Sequence, residues 1–386
     1  MKILKNEHYK KVEKIKCKDL FDYSCGNTPK KELDNYNGDI PWVNISDLGN
    51  KYLYDTSKKI NDNSKVIEKD SLLISFKLSV GVCSINKVPV SSNEAIIRIE
   101  PSKLKKDISI ESLYYLLPKA FIKNSSKNGL GANVLTTDVI KNIEIVIPND
   151  LKKITDFLST YENKLEKIKN LLEKIEIRNQ YYADKLLSGE LTLRNGKIVA
   201  NSTTLKKNFI TTLFDLKMGE TILSENISNI KINETDLPVY SATEETKIFG
   251  YIEINKVKKI LNENDIILAA RGNSIGALKF TEEMKTSTQT TIQLVSKTKY
   301  SSYLVYKYLQ NNRDRLFIAQ GAAIPQITID SIKNIEIPLV TNNEIEIYLK
   351  KLDLEKEKVE KLLKLEEQRF EWLSDKLLSG EYIIEE

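Results

Sequence analysis

Two stretches of this 386-residue chain place apolar side chains at alternating steps of four and three. Walking back from Leu186, these steps meet Tyr182, Asn179, Ile175, Leu172, Ile168, Leu165, Tyr161, Leu158 and Ile154, and nine of the ten positions are apolar. The same walk from Leu377 meets Leu373, Phe370, Glu366, Leu363, Val359, Lys356, Leu352, Leu349 and Ile345, with eight of ten apolar. A mean step of 3.5 residues is the seam of a coiled coil, not the two-residue alternation of a strand. The pattern predicts two long helices, one over 149–190 and one over 338–386. Three polar residues interrupt the seams. Asn179, Lys356 and Glu366 either fix register and orientation at some cost in stability, or lie at the seam edges in water.

Both helices end in the same seven residues, Asp184-Lys-Leu-Leu-Ser-Gly-Glu190 and Asp375-Lys-Leu-Leu-Ser-Gly-Glu381. The rest of the chain repeats as well. Leu20-Phe-Asp22, Gly26 and Thr28 recur as Leu213-Phe-Asp215, Gly219 and Thr221, all displaced by 193. Asp70 with Ser79 and Gly81 recurs 195 residues later as Asp265, Ser274 and Gly276, and Lys141-Asn-Ile-Glu-Ile145 recurs 192 later as Lys333-Asn-Ile-Glu-Ile337. So small a drift keeps the order of every element. The chain is one plan used twice, with divergent sequence between the anchors, as a tandem reader of two different sites needs.

The expected organisation is a globular α/β segment over 1–148, a helix over 149–190, a second α/β segment over 191–337 and a closing helix over 338–386. Apolar runs between Gly, Asn and Ser clusters predict strands at Ile40–Ile45, Ser71–Phe76, Ala95–Ile99 and Ile143–Ile147, and Ser112–Leu117 reads as helical. Asn149 or Asp150 suits the N-cap of the first long helix, Gly189 suits its C-terminal cap, and Thr192–Thr203 reads as a polar connector. Antiparallel pairing of the helices would set the globular segments at opposite ends. The 32 steps from Ile154 to Leu186 span roughly 48 Å, which is about fourteen base pairs of a duplex at ~3.4 Å each.

Charge changes this picture in one respect. Residues 1–148 hold 24 basic and 18 acidic side chains, and 191–337 hold 19 and 15; the first helix is balanced at 8 each, and 338–386 hold 8 and 13. Basic modules on a neutral or acidic frame suit a polyanionic partner, although a lysine-rich composition gives the same balance. Three cysteines (Cys17, Cys25, Cys83) without C-x-x-C spacing and the single His8 speak against a zinc site or a disulfide framework. The N-terminal stretch has no apolar core of a signal peptide, and no run approaches eighteen apolar residues. A reduced, cytoplasmic setting is expected.

The chain carries no phosphate-loop or dinucleotide-binding glycine motif and no Asn/Asp-Pro-Pro-aromatic run. His8 in a polar tail offers no nucleophile pairing. Glu245-Thr-Lys247 with Asp236, and Glu283-Met-Lys285, resemble the acid–lysine pairs of metal-dependent nucleases. In a chain with 29% charged residues such triplets arise by chance. No catalytic residues and no metal site are assigned, and recognition is the chemistry that remains.

Polar loops after strands let backbone approach phosphate while side chains reach a groove. In the first segment the candidates are Asn27, Lys30, Asn44, Lys77, Ser79, Lys127, Asn128 and Asn133. In the second they are Ser241, Thr243, Arg271, Asn273, Ser274, Gln320 and Gln326. Arg271 stands out, because its planar fork reads guanine or grips phosphate; a surface ion pair with Asp265 or Glu282 is the alternative. Gln320 and Gln326 offer amides for adenine edges, unless their stretch is an ordinary tight turn. Trp42 and Tyr240 read first as core aromatics, not as stacking platforms.

Taken together, Gly-Asn-Thr-Pro at 26–29, Ile-Pro-Trp-Val-Asn at 40–44, Leu-Pro-Val-Tyr-Ser-Ala-Thr at 237–243, the strand–glycine loops, the Lys-Asn-Ile-Glu-Ile strands and the twice-used Leu-Leu-Ser-Gly-Glu ends resemble the specificity subunit of type I restriction–modification systems. The resemblance covers nearly the whole chain. Thr221-Ile222 departs from the Thr-Pro step and implies a locally different loop. The resemblance implies two tandem α/β target-recognition domains, each followed by a long helix, with the helices paired as an antiparallel coiled coil of pseudo-two-fold symmetry. It implies double-stranded DNA with a bipartite target as partner, each domain reading one half and the helices setting the gap. It further implies two methyltransferase subunits carrying S-adenosylmethionine, restriction subunits with ATP-driven translocation and Mg, and no cofactor in this chain. A coiled-coil scaffold whose basic modules bind other proteins is the alternative of a different class.

Overall fold

Leu72-Leu-Ile74 has no polar alternation, and a strand of that kind is buried on both faces. The computed structural model of the chain describes residues 2–6, 12–27, 38–61, 66–127, 131, 133–201, 204–243, 247–318 and 325–385. Leu72–Ser75 forms the central strand of a five-stranded sheet ordered Ser24–Cys25, Ile96–Ile99, Leu72–Ser75, Cys83–Asn86, Tyr52–Leu53. The pairings are antiparallel except the last, where Tyr52–Leu53 runs parallel to Cys83–Asn86. The second half repeats the design as four antiparallel strands ordered Phe214–Met218, Thr291–Ser296, Ile266–Ala269, Leu278–Phe280. Behind each sheet lies one helix. Ile110–Asn124 buries Leu113, Leu117 and Phe121 in the first core, and Ser302–Asn311 buries Val305 and Leu309 in the second.

The chain divides into two compact units, Met1–Lys169 with Leu362–Glu386, and Asn170–Lys361. This division cuts both long helices, Leu151–Ser188 and Asn343–Leu378, near their middles. In the first unit Tyr161 stacks against Phe370 with ring centroids 5.5 Å apart, Lys164 lies 2.7 Å from Glu366, and Ile154, Leu158, Leu165 and Leu373 are buried. Ile168 and Leu363 are half-buried. In the second unit Glu176 meets Lys356 at 2.9 Å, Arg178 meets Glu355 at 2.9 Å, and Asn179 Nδ2 donates to the Leu352 carbonyl at 3.0 Å. Here Ile175, Leu349 and Leu352 are buried, while Leu172 and Val359 are half-buried. Within each unit rising numbers on one helix face falling numbers on the other, so each pairing is antiparallel. The three polar seam residues all have partners; Glu366 is buried, not solvated.

The shared heptapeptide now has a physical reading. Gly189 and Gly380 end their helices at φ +84° and +78°, where a β-carbon is disfavoured. A β-carbon would also stand 2.6 Å from Leu205 in one case and 2.3 Å from Val12 in the other. In both copies the lysine pairs with the glutamate five residues on, and the serine hydroxyl donates back to the lysine carbonyl.

Several expectations need correction. The strand predicted over Ile40–Ile45 stops at Val43, because the Asn44 amide turns to donate to the Asp47 carboxylate at 2.8 Å and opens a single helical turn, Ile45–Asp47. The helix around Ser112–Leu117 runs over Ile110–Asn124 and passes through Pro118. Proline cannot donate to the carbonyl four residues back; here the Cys83 thiol reaches that carbonyl, Tyr114 O, at 3.8 Å. The stretch read as a polar connector is a hairpin, Leu191–Arg194 with Lys197–Ala200. Asn195 and Gly196 turn it with φ of 52° and 72°, which suits a two-residue hairpin loop. In the first unit a ladder of the two chain ends takes this place, with Lys2–Lys5 antiparallel to Tyr382–Glu385. His8, Thr28, Lys30, Asn128, Glu245 and Gln320 lie outside the described residues.

Candidate nucleic-acid interface

At one end of each sheet, loops distant in sequence come together. In the first unit the strand Leu72–Ser75 leads into Lys77–Leu78, which pairs with Asn133–Val134, itself paired with Ser126–Lys127. The pairs are Lys77 with Val134, Leu78 with Asn133, and Asn133 with Lys127. Lys77, Ser79, Lys127 and Asn133 are therefore gathered on one small ribbon, all but the half-buried Lys77 being exposed. The same end carries Ala95, whose carbonyl accepts from the Phe76 amide at 3.0 Å, and Asn93, whose amide reaches Asn44 at 3.5 Å. Asn27 is exposed nearby; its amide donates to Ser92 O at 2.7 Å, and its carbonyl accepts from the Trp42 indole at 3.3 Å. Trp42 is buried, as a core aromatic is.

The second unit assembles its candidates in the same way. Ile327 donates to Ala270 O at 2.9 Å, as Leu135 does to Phe76 O in the first. Arg271 and Gln326 form an antiparallel bridge, and Arg271 Nε donates to Gln326 Oε1 at 3.0 Å. The ion pair considered for Arg271 does not form. Asp265 is buried and instead accepts from the amides of Asn262 and Ser296, both at 2.8 Å. Asn273 and Ser274 lie on the turn after Arg271, Asn273 exposed. A β-carbon on Gly272 would stand 3.5 Å from Ala242 O, so the loop carrying Ser241 and Thr243 adjoins the Arg271 loop.

Reading the sequence missed the floor of this second cluster. Thr288 Oγ1 donates to Ser241 Oγ at 3.1 Å and contacts Thr290 Oγ1 at 2.8 Å, and the Ala242 amide reaches Thr290 Oγ1 at 3.4 Å. Lys279 is buried; its ammonium donates to Ser241 O at 3.2 Å and lies 4.7 Å from the centre of the half-buried Tyr240 ring. Lys285 approaches the same ring at 4.9 Å, and burial holds its ammonium below the usual lysine range. A lysine between Leu278 and Phe280 and the run Thr286-Ser-Thr-Gln-Thr-Thr291 were the available signals. Ser92 Oγ and Thr243 Oγ1 are buried without a hydrogen-bond partner among the described residues.

Of the acid–lysine candidates, Glu245 lies outside the described residues. Asp236 is a turn residue whose carboxylate accepts from the Ile232 and Asn233 amides, and Glu283 is exposed. Cys17 and Cys83 are buried thiols pushed up to about 12 by burial, and all three cysteines are unbridged. Among the described residues no group of three His, Cys, Asp or Glu is placed to hold a metal, and no helix is long and apolar enough to cross a membrane.

Comparison with known proteins gives this arrangement a family. The type I restriction modification DNA specificity domain matches residues 9–177 and again 204–367. The chain is 24% identical over 359 residues to the type I restriction enzyme MjaIX specificity subunit of Methanocaldococcus jannaschii, covering 83% of this chain and 81% of that one. It is 24% identical over 185 residues to the EcoR124I/EcoR124II specificity subunit of Escherichia coli, covering 42% and 45%. The fold is that of the type I restriction–modification S subunit from M. genitalium, with a TM-score of 0.58, 16% identity and 99% of both chains covered. A structure from a study of type I system assembly and conformational transition aligns with a TM-score of 0.52, 14% identity and 96% of each chain. Two matches of one specificity domain, set over two units that repeat the same sheet, helix and loop cluster, place the chain in the family of type I restriction–modification DNA specificity subunits.

Proposed function

We propose that this DNA target-recognition subunit reads a bipartite duplex, residues 1–148 contacting one half and residues 191–337 the other. The supporting observation is that both units gather polar and basic loop residues at the same end of equivalent sheets, with different residues in each (Lys77, Lys127 and Asn133 against Arg271, Gln326 and Ser241). One scaffold with two chemistries is what two unlike half-sites require. Specificity subunits of type I systems are non-catalytic, and the activities reside in partner subunits.

The finer assignments belong to the same proposal. The continuous helices Leu151–Ser188 and Asn343–Leu378 act as the ruler that sets the gap. Two methyltransferase subunits dock along them and bring S-adenosylmethionine; restriction subunits bring ATP and Mg; the complex works in the cytoplasm. Exposed Leu171, Ile177, Leu354, Leu362 and Leu365 supply apolar helix surface for such docking.

The test is co-expression with methyltransferase subunits in a host lacking adenine methylation, read by single-molecule sequencing. A split methyladenine motif with a fixed gap, absent without this chain, is the expected result; no new methylation from an assembled complex overturns the proposal. Replacing residues 1–148 should change one half-site and leave the other, whereas a change in both would refute the modular assignment. A heptad inserted at matched places in both helices should lengthen the gap by about three base pairs, since seven residues add about 10 Å.

A further inference from the structure

The two units carry a basic residue at the same point of the same loop but support it differently. Lys77 and Arg271 are structurally equivalent: each follows a residue whose carbonyl accepts from the Leu135 or Ile327 amide (Phe76 and Ala270), and each pairs with the residue before that amide, Val134 or Gln326. Opposite Lys77 stands Val134, which offers no side-chain acceptor, and the lysine ammonium rests 5.1 Å from the Phe76 ring centre. Opposite Arg271 stands Gln326, whose Oε1 accepts from Arg271 Nε at 3.0 Å.

That contact uses the one guanidinium nitrogen that is not terminal. Both terminal amino groups stay available, the guanidinium plane is fixed by its hydrogen bond, and a neutral amide leaves the charge uncompensated, as a carboxylate would not. The loop beneath is held at several points. Gly276 N donates to Ala269 O at 2.8 Å, Ala277 N to Ser274 O at 2.9 Å, and Arg313 Nη2 to Ile275 O at 2.7 Å. Gly272 and Gly276 take φ of 89° and 82°, which only glycine adopts without strain.

Resting on the function proposed above, we propose that Arg271 reads a guanine in the half-site of residues 191–337, and that Gln326 is its positioning residue and not a base reader. Guanine presents O6 and N7 side by side in the major groove, a target for two parallel donors whose plane must be set. A phosphate makes no such demand, and an unsupported lysine such as Lys77 serves it equally well. The difference between the units is thus one between a guanidinium oriented by a side-chain hydrogen bond and an ammonium that has no such acceptor opposite it.

The experiment is methylation-motif mapping with the full chain in its methyltransferase complex, on a plasmid library randomised across the half-site that domain exchange assigns to residues 191–337. Arg271→Lys and Gln326→Met should each weaken the preference for one guanine in that half on the order of tenfold to a hundredfold, leaving the other half and the gap unchanged. Gln326→Glu keeps an acceptor for Nε but compensates the charge, so it should retain the guanine preference while lowering overall methylation at that half-site, a split that a merely structural role for Gln326 would not produce. Retention of full guanine preference by Gln326→Met overturns the proposal, as does an even loss of methylation at every site in both single variants. A wild-type chain that yields no split motif removes the underlying function, and is told apart by appearing without any substitution.

Discussion

The two units solve one mechanical problem with residues drawn from different places. In the first, Glu162 on the long helix accepts from Lys51 Nζ at 3.0 Å and from the Tyr115 hydroxyl, while Lys51 also reaches Tyr115 Oη at 2.8 Å and Ser159 Oγ at 3.0 Å. In the second, Asp353 accepts from Lys307 Nζ at 2.9 Å and from Tyr303 Oη at 2.6 Å. Glu162 and Asp353 are 191 residues apart, the spacing of the repeated helix ends. The cation comes from a loop in one unit and from the helix Ser302–Asn311 in the other, and the phenol has changed position as well. Burial and the adjacent carboxylate push both tyrosine hydroxyls up, so they remain donors at any physiological pH. What recurs is a carboxylate on the long helix holding one ammonium and one phenol of its own globular part. The carboxylate contact between globular part and long helix recurs in both units while the residues that make it are exchanged.

The largest effects should come from the glycines that the units share. A β-carbon on Gly26 would sit 1.9 Å from Asn93 O, and one on Gly219 would sit 2.1 Å from Thr288 O, both backbone atoms that cannot swing away. Gly26→Ala and Gly219→Ala should each destabilise their own unit by about 3 kcal/mol through overpacking, and each should abolish selection at its own half-site only. Thermal melting with motif mapping checks this. Tolerance of alanine at one site alone would break the equivalence of the two units.

The carboxylate locks come next. Lys51 and Lys307 each have side chains 13% exposed, so removing either carboxylate strands an almost buried ammonium. Glu162→Ala and Asp353→Ala should each cost about 2 kcal/mol, with Asp353 the milder because it is 40% exposed and screened. Denaturant unfolding measures both. Lys51→Met combined with Glu162→Leu should recover most of the loss, since a matched apolar pair carries no stranded charge. Failure of that recovery would mean that the lock contributes more than charge satisfaction.

Local pattern carried much of this architecture. The 3.5-residue seam located both helices, and the constant offsets anticipated that Gly26 and Gly219, or Gly189 and Gly380, meet the same structural demand. The hairpin at Leu191–Ala200 escaped because its strands are mostly half-exposed and lack an apolar run, although Asn195-Gly196 is a strong turn signal. The ladder between Lys2–Lys5 and Tyr382–Glu385 has no local signature, since its partners stand at opposite ends of the chain. The candidate interface divides likewise. Loop residues could be chosen by type and by their place after strands, but the pairing of Arg271 with Gln326 is set by a chain crossing 55 residues apart. Lys279 has no local signal beyond its place between Leu278 and Phe280, and Lys285 stands out only as part of the Glu283-Met-Lys285 triplet, whereas both are buried beside Tyr240.

The smallest effect distinguishes the two halves of the seam. Glu366, in the first unit, is a buried carboxylate held below the usual range by hydrogen bonds from Lys164 and Tyr161. Its counterpart by the helix repeat is Ile175, an apolar seam residue of the second unit. A carboxyl whose folded value is depressed contributes stability above its unfolded value, and that contribution is lost as pH falls through the folded one. Tyr161 has the opposite sign: burial and its bond to Glu366 raise the phenol to about 12, so its contribution is present below about 10 and lost as pH rises through 12. The first unit should therefore weaken at both acid and alkaline extremes, and Glu366→Gln should flatten the acid limb of its unfolding midpoint while leaving the second unit's profile unchanged. An acid limb of undiminished slope in Glu366→Gln would place the sensitive carboxylate elsewhere and leave Glu366 as a register pin alone.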